Sequence, residues 1–356
     1  MTCLYFYKKL LLNCFFGYFK SMMRIIKSCL LFICILFATT TASAQDPHFS
    51  QFYANPMYLN PSYAGSSFCP RWIMNYRNQW PALAGDYVTY STSFDFGLNE
   101  IHGGLGLIVL HDNAGSGVLT TNKISLLYSY HANLSSTTTL SAGFQFSYFQ
   151  RQLNSNLFFG DQIDELYGFI YDTFDPFSVD EYFSVSYTDF SAGLLVTSDR
   201  FFVGAAVHHL TEPTYSFLNT YNDGKLPMKI TVHGGSRVVV EDLGWFNQTF
   251  LSKFSVLTPH VIIQKQAESE QINIGGTLSS DHLGLGLAYR RGFNNTDALI
   301  IILGYELEKY KIGYSYDLTL SKLGASSGGA HEISLQIQLG CFYKKPSQNT
   351  IPCPKF

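Results

Sequence analysis

From His331 the chain reads HEISLQIQLG, in which Ile333, Leu335, Ile337 and Leu339 alternate with Ser334, Gln336 and Gln338. Successive side chains of a strand point to opposite faces. This segment therefore predicts a strand with one aliphatic face and one polar, uncharged face. The pattern recurs with aromatics. Ile124, Leu126, Tyr128 and Tyr130 alternate with Lys123, Ser125, Leu127 and Ser129; Leu140, Ala142, Phe144, Phe146 and Tyr148 alternate with Ser141, Gly143, Gln145 and Ser147. Tyr310, Ile312, Tyr314 and Tyr316 alternate with Lys311, Gly313, Ser315 and Asp317. Alternating segments of roughly ten residues separated by turns, apolar outward and polar inward, are the signature of a transmembrane β-barrel.

The spacing predicts about fourteen antiparallel strands, near 71–79, 86–97, 103–112, 118–131, 137–151, 187–197, 200–210, 227–241, 254–266, 270–280, 282–291, 297–307, 308–318 and 330–341. An even number suits a bacterial single-chain barrel. The stretches 154–182 and 211–225 read as long loops, and Thr197-Ser198-Asp199-Arg200 as a short turn on the opposite side. Turn spacing runs on without a domain boundary through residues 71–342. Residues 45–70 differ: rich in Pro, Asn and aromatics, they form an irregular N-terminal segment in which Pro56 and Pro61 break any helix or central strand. Asn55-Pro56 and Asn60-Pro61 are turn-initiating pairs. Disordered linkers are poor in aromatics. The segment is therefore expected to be ordered, within the lumen or against the periplasmic rim, where it contacts a partner or gates the pore.

The N-terminus predicts export. Arg24 and Lys27 precede a short apolar run, Cys29–Phe37, and Ala42-Ser43-Ala44 offers a cleavage site before Gln45. The run is far shorter than the roughly 20 residues that a spanning helix needs. Ile33 before Cys34 does not suit a lipoprotein site. Residues 1–44 are read as the leader, with Met22 or Met23 as an alternative start, and 343–356 as a C-terminal tail. Pro352 and Pro354 keep the terminal Phe356 out of a strand, so the strand ending at Phe342 is the closing one.

Composition agrees. Aromatics make up 16% of the chain and charged residues only 14%, against about 25% charged in soluble domains. The 24 Tyr and 30 Phe can supply interfacial girdles. The leader holds Lys8, Lys9, Lys20, Arg24 and Lys27 and no acids, so its removal takes the formal charge from −3 to −8. Nucleic acid, which needs clustered Lys and Arg, is not expected as a partner. Four of the seven cysteines lie in the leader. For Cys69, Cys341 and Cys353, a Cys69–Cys341 bridge, a Cys69–Cys353 bridge and three unpaired thiols all stand as readings.

Catalytic and metal chemistry find little support. His208-His209 and His102 have no Ser-based motif near them in the sequence, and the histidines read as interfacial or loop residues. The ten histidines are dispersed, no Cys-x-x-Cys occurs, and no metal or other cofactor is expected. Asp112–Gly117 looks like a calcium loop without its closing Glu and reads as a Gly-rich turn. The charges Arg77, Asp95, Lys311 and Asp317 fall on the inward parity, because a charge facing lipid costs about 2–4 kcal/mol at worst. Two readings of them stand: solvated lumen charges, or an inner network pinning the N-terminal segment. Tyr314 and Tyr316 read as lipid or interface aromatics.

DPHFSQFYANPMYLNPSYAG (Asp46–Gly65), Tyr76-Arg77-Asn78-Gln79-Trp80, Gly313-Tyr314-Ser315-Tyr316-Asp317 and His331-Glu332-Ile333-Ser334-Leu335 together resemble the motifs of the PorP/SprF family of type IX secretion and gliding-motility membrane proteins. The resemblance covers nearly all of the chain after the leader. It implies an outer-membrane barrel that works with a large secreted adhesin or cargo bearing a C-terminal sorting domain, and with periplasmic and outer-membrane parts of the secretion machine. The stretch 157–183 matches no motif of the family. Plug or partner-binding candidates are Asp46, Pro47, Phe49, Gln51, Phe52, Asn55, Pro56, Tyr58, Asn60, Pro61 and Gly65. The rival class is a diffusion porin or small-solute transporter.

Overall fold

The computed structural model describes residues 46–341 except 68, 154–159, 165, 167, 170–182, 218–223, 241–254, 293–295 and 321–323. The leader 1–44, Phe342, the tail 343–356, Cys353 and most of 157–183 lie outside the described residues. The strands are β1 Arg71–Gln79, β2 Tyr87–Leu98, β3 Gly103–Ala114, β4 Leu119–Asn133, β5 Thr138–Leu153, β6 Phe183–Ser198 and β7 Phe201–His208. There follow β8 Lys229–Ser236, β9 Val256–Gln266, β10 Ser269–Ser279, β11 Leu283–Gly292, β12 Thr296–Glu306, β13 Tyr310–Thr319 and β14 Ala330–Gln338. Each pairs antiparallel with the next, and β14 pairs with β1, so the fourteen strands close into a barrel. A closed ring leaves no unpaired edge, the condition for a sheet to sit in lipid.

The alternation sorts the side chains as the sequence pattern predicts. On β4, Leu126 is 60% exposed and Ser125 1%. Leu105, Leu107, Val109, Ile124, Ile263, Ile301 and Leu303 share the outward belt. Trp72, Tyr130, Tyr305 and Tyr310 stand outside one rim, and Tyr87, Tyr90, Tyr148 and Tyr289 toward the other. An apolar belt between two aromatic rows is what a bilayer selects. Tyr314 also points outward, where its hydroxyl meets His331 Nδ1 at 2.9 Å.

Strand ends depart from the sequence reading by a few residues, for local reasons. β7 stops at His208 because His209 takes a left-handed backbone conformation, φ 59°. The predicted strand 227–241 divides into β8 and a short Val238–Val239 piece, which pairs with Val256 and Leu257. The last strand ends at Gln338, just before the Cys69–Cys341 disulfide, whose Cα atoms are 4.6 Å apart. That bond ties the lead-in of β1 to the exit of β14 and resolves the three cysteine readings in favour of Cys69–Cys341.

Connections alternate between the two rims. One rim carries the long connections after β5 and β7; the other carries the start of β1, the end of β14 and the short turns at 99–102, 134–137, 199–200, 280–282 and 307–309. The 237–255 connection is the long exception on the short-turn rim.

Candidate functional site

The segment preceding β1 runs inside the barrel. It folds as three short turns: a 3-10 turn Phe52–Ala54, one α-turn Pro56–Leu59 and a 3-10 turn Pro61–Tyr63. Pro56 and Pro61 thus start helical turns, where the sequence reading has them only breaking structure. At the first helical position a missing N–H has no intrahelical partner to lose. Asn60 caps the last turn, its side-chain oxygen accepting from Ser62 N–H at 2.9 Å while its amide donates to the Leu194 carbonyl of β6 at 3.0 Å.

Phe52, Met57, Leu59, Tyr63 and Ala64 bury against Ile108, Leu127, Leu195 and Ile262, the inward apolar side chains of β3, β4, β6 and β9. Complete burial of such a side chain contributes about 1.5–3 kcal/mol. Inward glycines make room for the segment's backbone. A Cβ added at Gly143 of β5 would overlap Pro61 and Ser62, and one at Gly104 of β3 would overlap Gly65, itself at φ 67°. Only glycine permits this approach.

Polar contacts pin the segment at three heights. At its start, Asp46 Oδ2 lies 2.9 Å from His209 Nε2 and 3.6 Å from Lys229 Nζ, and Asp46 N–H donates to Gln266 at 3.2 Å. His209 Nδ1 meets Asp189 Oδ2 at 2.9 Å. With a carboxylate at each nitrogen the ring is an imidazolium. Burial alone would lower its pKa, but Asp46 and Asp189 outweigh burial and raise it to about 8. Burial likewise opposes the Asp46 charge, yet His209 and Lys229 hold that carboxyl well below the usual range.

Lower down, Ser50 and Gln51 lie in a cradle of four buried charges. Arg77 reaches Asp317 at 2.9 Å and Glu332 at 3.2 Å, and Arg290 reaches Asp317 at 3.0 Å. The Ser50 hydroxyl donates to Asp317 at 2.6 Å and accepts from Arg77 at 2.7 Å and Arg290 at 3.2 Å. Ser50 and Gln51 N–H donate to Glu332 at 2.6 and 3.1 Å. At the exit, Arg71 grips Asp95 through two bonds of 2.9 Å; Asp95 accepts Gly65 N–H at 3.0 Å, and Arg71 donates to Ser66 at 3.1 Å. His131 Nε2 meets the Ala64 carbonyl at 3.1 Å, which puts the ring proton on that nitrogen.

Of the four charges singled out in the sequence, the structure joins Arg77 to Asp317. Asp95 pairs instead with Arg71, directly across the β1–β2 register. Lys311 is corrected: it bonds Glu306 at 3.0 Å across the β12–β13 hairpin and takes no part in the cradle. Lys311 and Asp317 share a face but are six residues apart, about 20 Å along a strand at about 3.3 Å per residue. The interfacial reading of His208 and His209 is corrected: both are buried in the lumen, His208 as the last residue of β7 and His209 in the loop that follows, as the loop alternative had it. Sequence reasoning missed Arg71, Arg290 and Glu332, although their inward parity was legible. Among the segment residues, Phe49 stacks edge-on with Tyr58, whose hydroxyl donates to the Pro47 carbonyl at 2.7 Å; Asn55 donates to Ser91 at 3.3 Å. Among the described residues no group of three or more His, Cys, Asp or Glu is placed to hold a metal.

A family model described as "Type IX secretion system membrane protein PorP/SprF" matches residues 41–337. A search of curated proteins returned no match. Solved structures that this chain matches include a Pseudomonas aeruginosa FadL homologue, at 12% identity and TM-score 0.43, covering 78% of this chain and 92% of that one. Others are the Acinetobacter baumannii outer membrane protein Omp33, at 7% identity and TM-score 0.40 over 77% and 100%, and the KdgM porin, at 10% and 0.34 over 75% and 99%. The family match takes in the lumen segment and almost every strand, and a closed barrel with an apolar outer belt is the form in which a protein crosses the outer membrane; the chain belongs to the PorP/SprF family of type IX secretion system membrane proteins and is an integral outer-membrane barrel.

Proposed function

We propose that this barrel is a non-enzymatic component of type IX secretion that binds, exports or anchors a secreted adhesin or cargo through that partner's C-terminal sorting domain. The occupied lumen is the observation that supports the reading. Residues 46–66 contact every strand from β1 to β9, and β11, β13 and β14 as well. A lumen filled in this way favours recognition at the rims over passage of solutes. Periplasmic and outer-membrane parts of the secretion machine are the further partners, lipid surrounds the belt, and the acidic balance of the exported chain offers nucleic acid no surface.

Deletion of residues 46–65 tests the reading. The barrel should still assemble, with the heat-modifiable gel mobility of a folded barrel, while surface display of the cargo is lost. Normal display by the deleted protein would count against a role for the segment. Large, steady open-channel conductance from the intact protein in planar bilayers would replace the reading with a diffusion porin.

A further inference from the structure

The lumen segment has a direction. Asp46 is held by His209, Lys229 and Gln266, which stand where β7 ends, β8 begins and β9 ends, all on the long-loop rim. Ser50 and Gln51 meet Arg77, Arg290, Asp317 and Glu332, each two residues inside that rim. Asn60 lies at mid-barrel, against Leu194 and His233. Ala64 and Gly65 meet His131, Asp95 and Gly104 near the short-turn rim, and the chain enters β1 there at Arg71. The contacts descend in step with the sequence. The segment therefore crosses the whole barrel from the long-loop rim to the short-turn rim.

Outer-membrane barrels turn their long loops outward and their short turns to the periplasm. Asp46 thus sits in the outer mouth. Cleavage after Ala44 leaves only Gln45 ahead of it. We propose that the processed N-terminal end of this chain is presented to the cell exterior through the barrel mouth at the long-loop rim, and that the partner it meets is an exported polypeptide rather than a periplasmic component. The nature of the partner rests on the secretion reading above; the topology does not.

Epitope tags placed in the full-length protein separate the two. One tag goes between Gln45 and Asp46, one at Gly117 in the β3–β4 turn of the long-loop rim, and one at Asp199 in a short turn. The N-terminal and Gly117 tags should stain intact cells with no gain on permeabilisation, and the Asp199 tag should stain only after it. An N-terminal tag that stains only permeabilised cells, or neither preparation, overturns the topology. Should the tag disturb the segment, Gln45→Cys in a Cys353→Ser background gives the same reading with a membrane-impermeant maleimide. A photo-crosslinking residue at position 45 then addresses the partner. Capture of an exported chain bearing the sorting domain is expected, and capture of periplasmic proteins alone overturns the partner assignment while leaving the topology standing.

Discussion

Arg77→Ala isolates the middle pin. Arg77 makes three charge-assisted contacts: to Asp317 at 2.9 Å, Glu332 at 3.2 Å and the Ser50 hydroxyl at 2.7 Å. Its removal strands buried carboxylates, and breaking one partner out of a buried pair costs about 3–5 kcal/mol. The lower end applies here. Arg290 stays on Asp317 and Ser50, and Glu332 keeps two backbone N–H donors from Ser50 and Gln51. About 3 kcal/mol is roughly a hundredfold in the equilibrium between docked and released segment, since about 1.4 kcal/mol is tenfold. Hydrogen exchange on the detergent-solubilised protein reads this directly: the Ser50 and Gln51 amides should lose about two orders of magnitude of protection. The strand ladders, whose hydrogen bonds the substitution leaves intact, should keep theirs. Adding Glu332→Gln removes the stranded charge and should restore part of the loss, as a non-additive pair. Wild-type protection of both amides in Arg77→Ala would refute the idea that this cradle holds the segment.

The upper pin is set to weaken in alkali. His209 has its pKa raised from 6.5 to about 8, so its contribution is complete below about 6.5 and fades as pH rises through 8, a loss of about 2 kcal/mol. Lys229, Lys123 and His208 also lie close to Asp46; rate-corrected exchange at His48 and Phe49 should speed up across that window in the wild type and stay flat in His209→Gln. Gly143→Val drives side-chain atoms into Pro61 and Ser62; overpacking of about 1–3 kcal/mol should loosen the lower half of the segment, seen as protease cleavage near Ser62 without loss of heat-modifiable mobility. Reducing Cys69–Cys341 opens a cross-link spanning 272 residues. The chain-entropy model assigns such a bond at most about 5–6 kcal/mol, so the unboiled gel transition should move to lower temperature under reductant, and an unmoved transition would show that strand pairing alone sets barrel stability.

Face was legible in the sequence, while height and partner were not. Period-2 alternation survives in single strands because lipid and lumen impose opposite demands on neighbouring residues. Leu127, an apolar residue in the inward row Lys123, Ser125, Leu127 and Ser129, was the visible sign that something dry fills the lumen. Which inward charges meet depends on register between strands far apart in sequence. Arg77 stands opposite Glu332, 255 residues away, because β1 closes on β14 in that register. Arg71, not Arg77, stands opposite Asp95. Parity alone therefore placed Lys311 and Asp317 on one face without revealing the distance between them. The partners of His209 escaped the sequence reading because its left-handed backbone, rather than strand parity, turns its ring between Asp46 and Asp189.

The ion pairs of the two lower pins are made between strands, and this decides what happens when the segment is removed. Arg71–Asp95 joins β1 to β2, Arg77–Glu332 joins β1 to β14, and Arg290–Asp317 joins β11 to β13. To these preformed pairs the segment brings only hydroxyls and backbone N–H groups, from Ser50, Gln51, Gly65 and Ser66. Its own charge in the upper pin is Asp46. The barrel is thus a prearranged polar cradle, and the segment docks into it almost as a neutral ligand does. Without the segment, every strand-to-strand pair remains and water solvates the inward carboxylates and cations, so no unpaired charge is left buried. The apolar patch of Ile108, Leu127, Leu195 and Ile262 loses its cover, a cost that a closed hydrogen-bonded ring can absorb. A barrel lacking residues 46–65 should therefore fold, and in planar bilayers it should conduct ions well above the intact protein. Failure of the deleted chain to reach the heat-modifiable folded form would show that the segment is part of the barrel's core rather than a guest in its lumen.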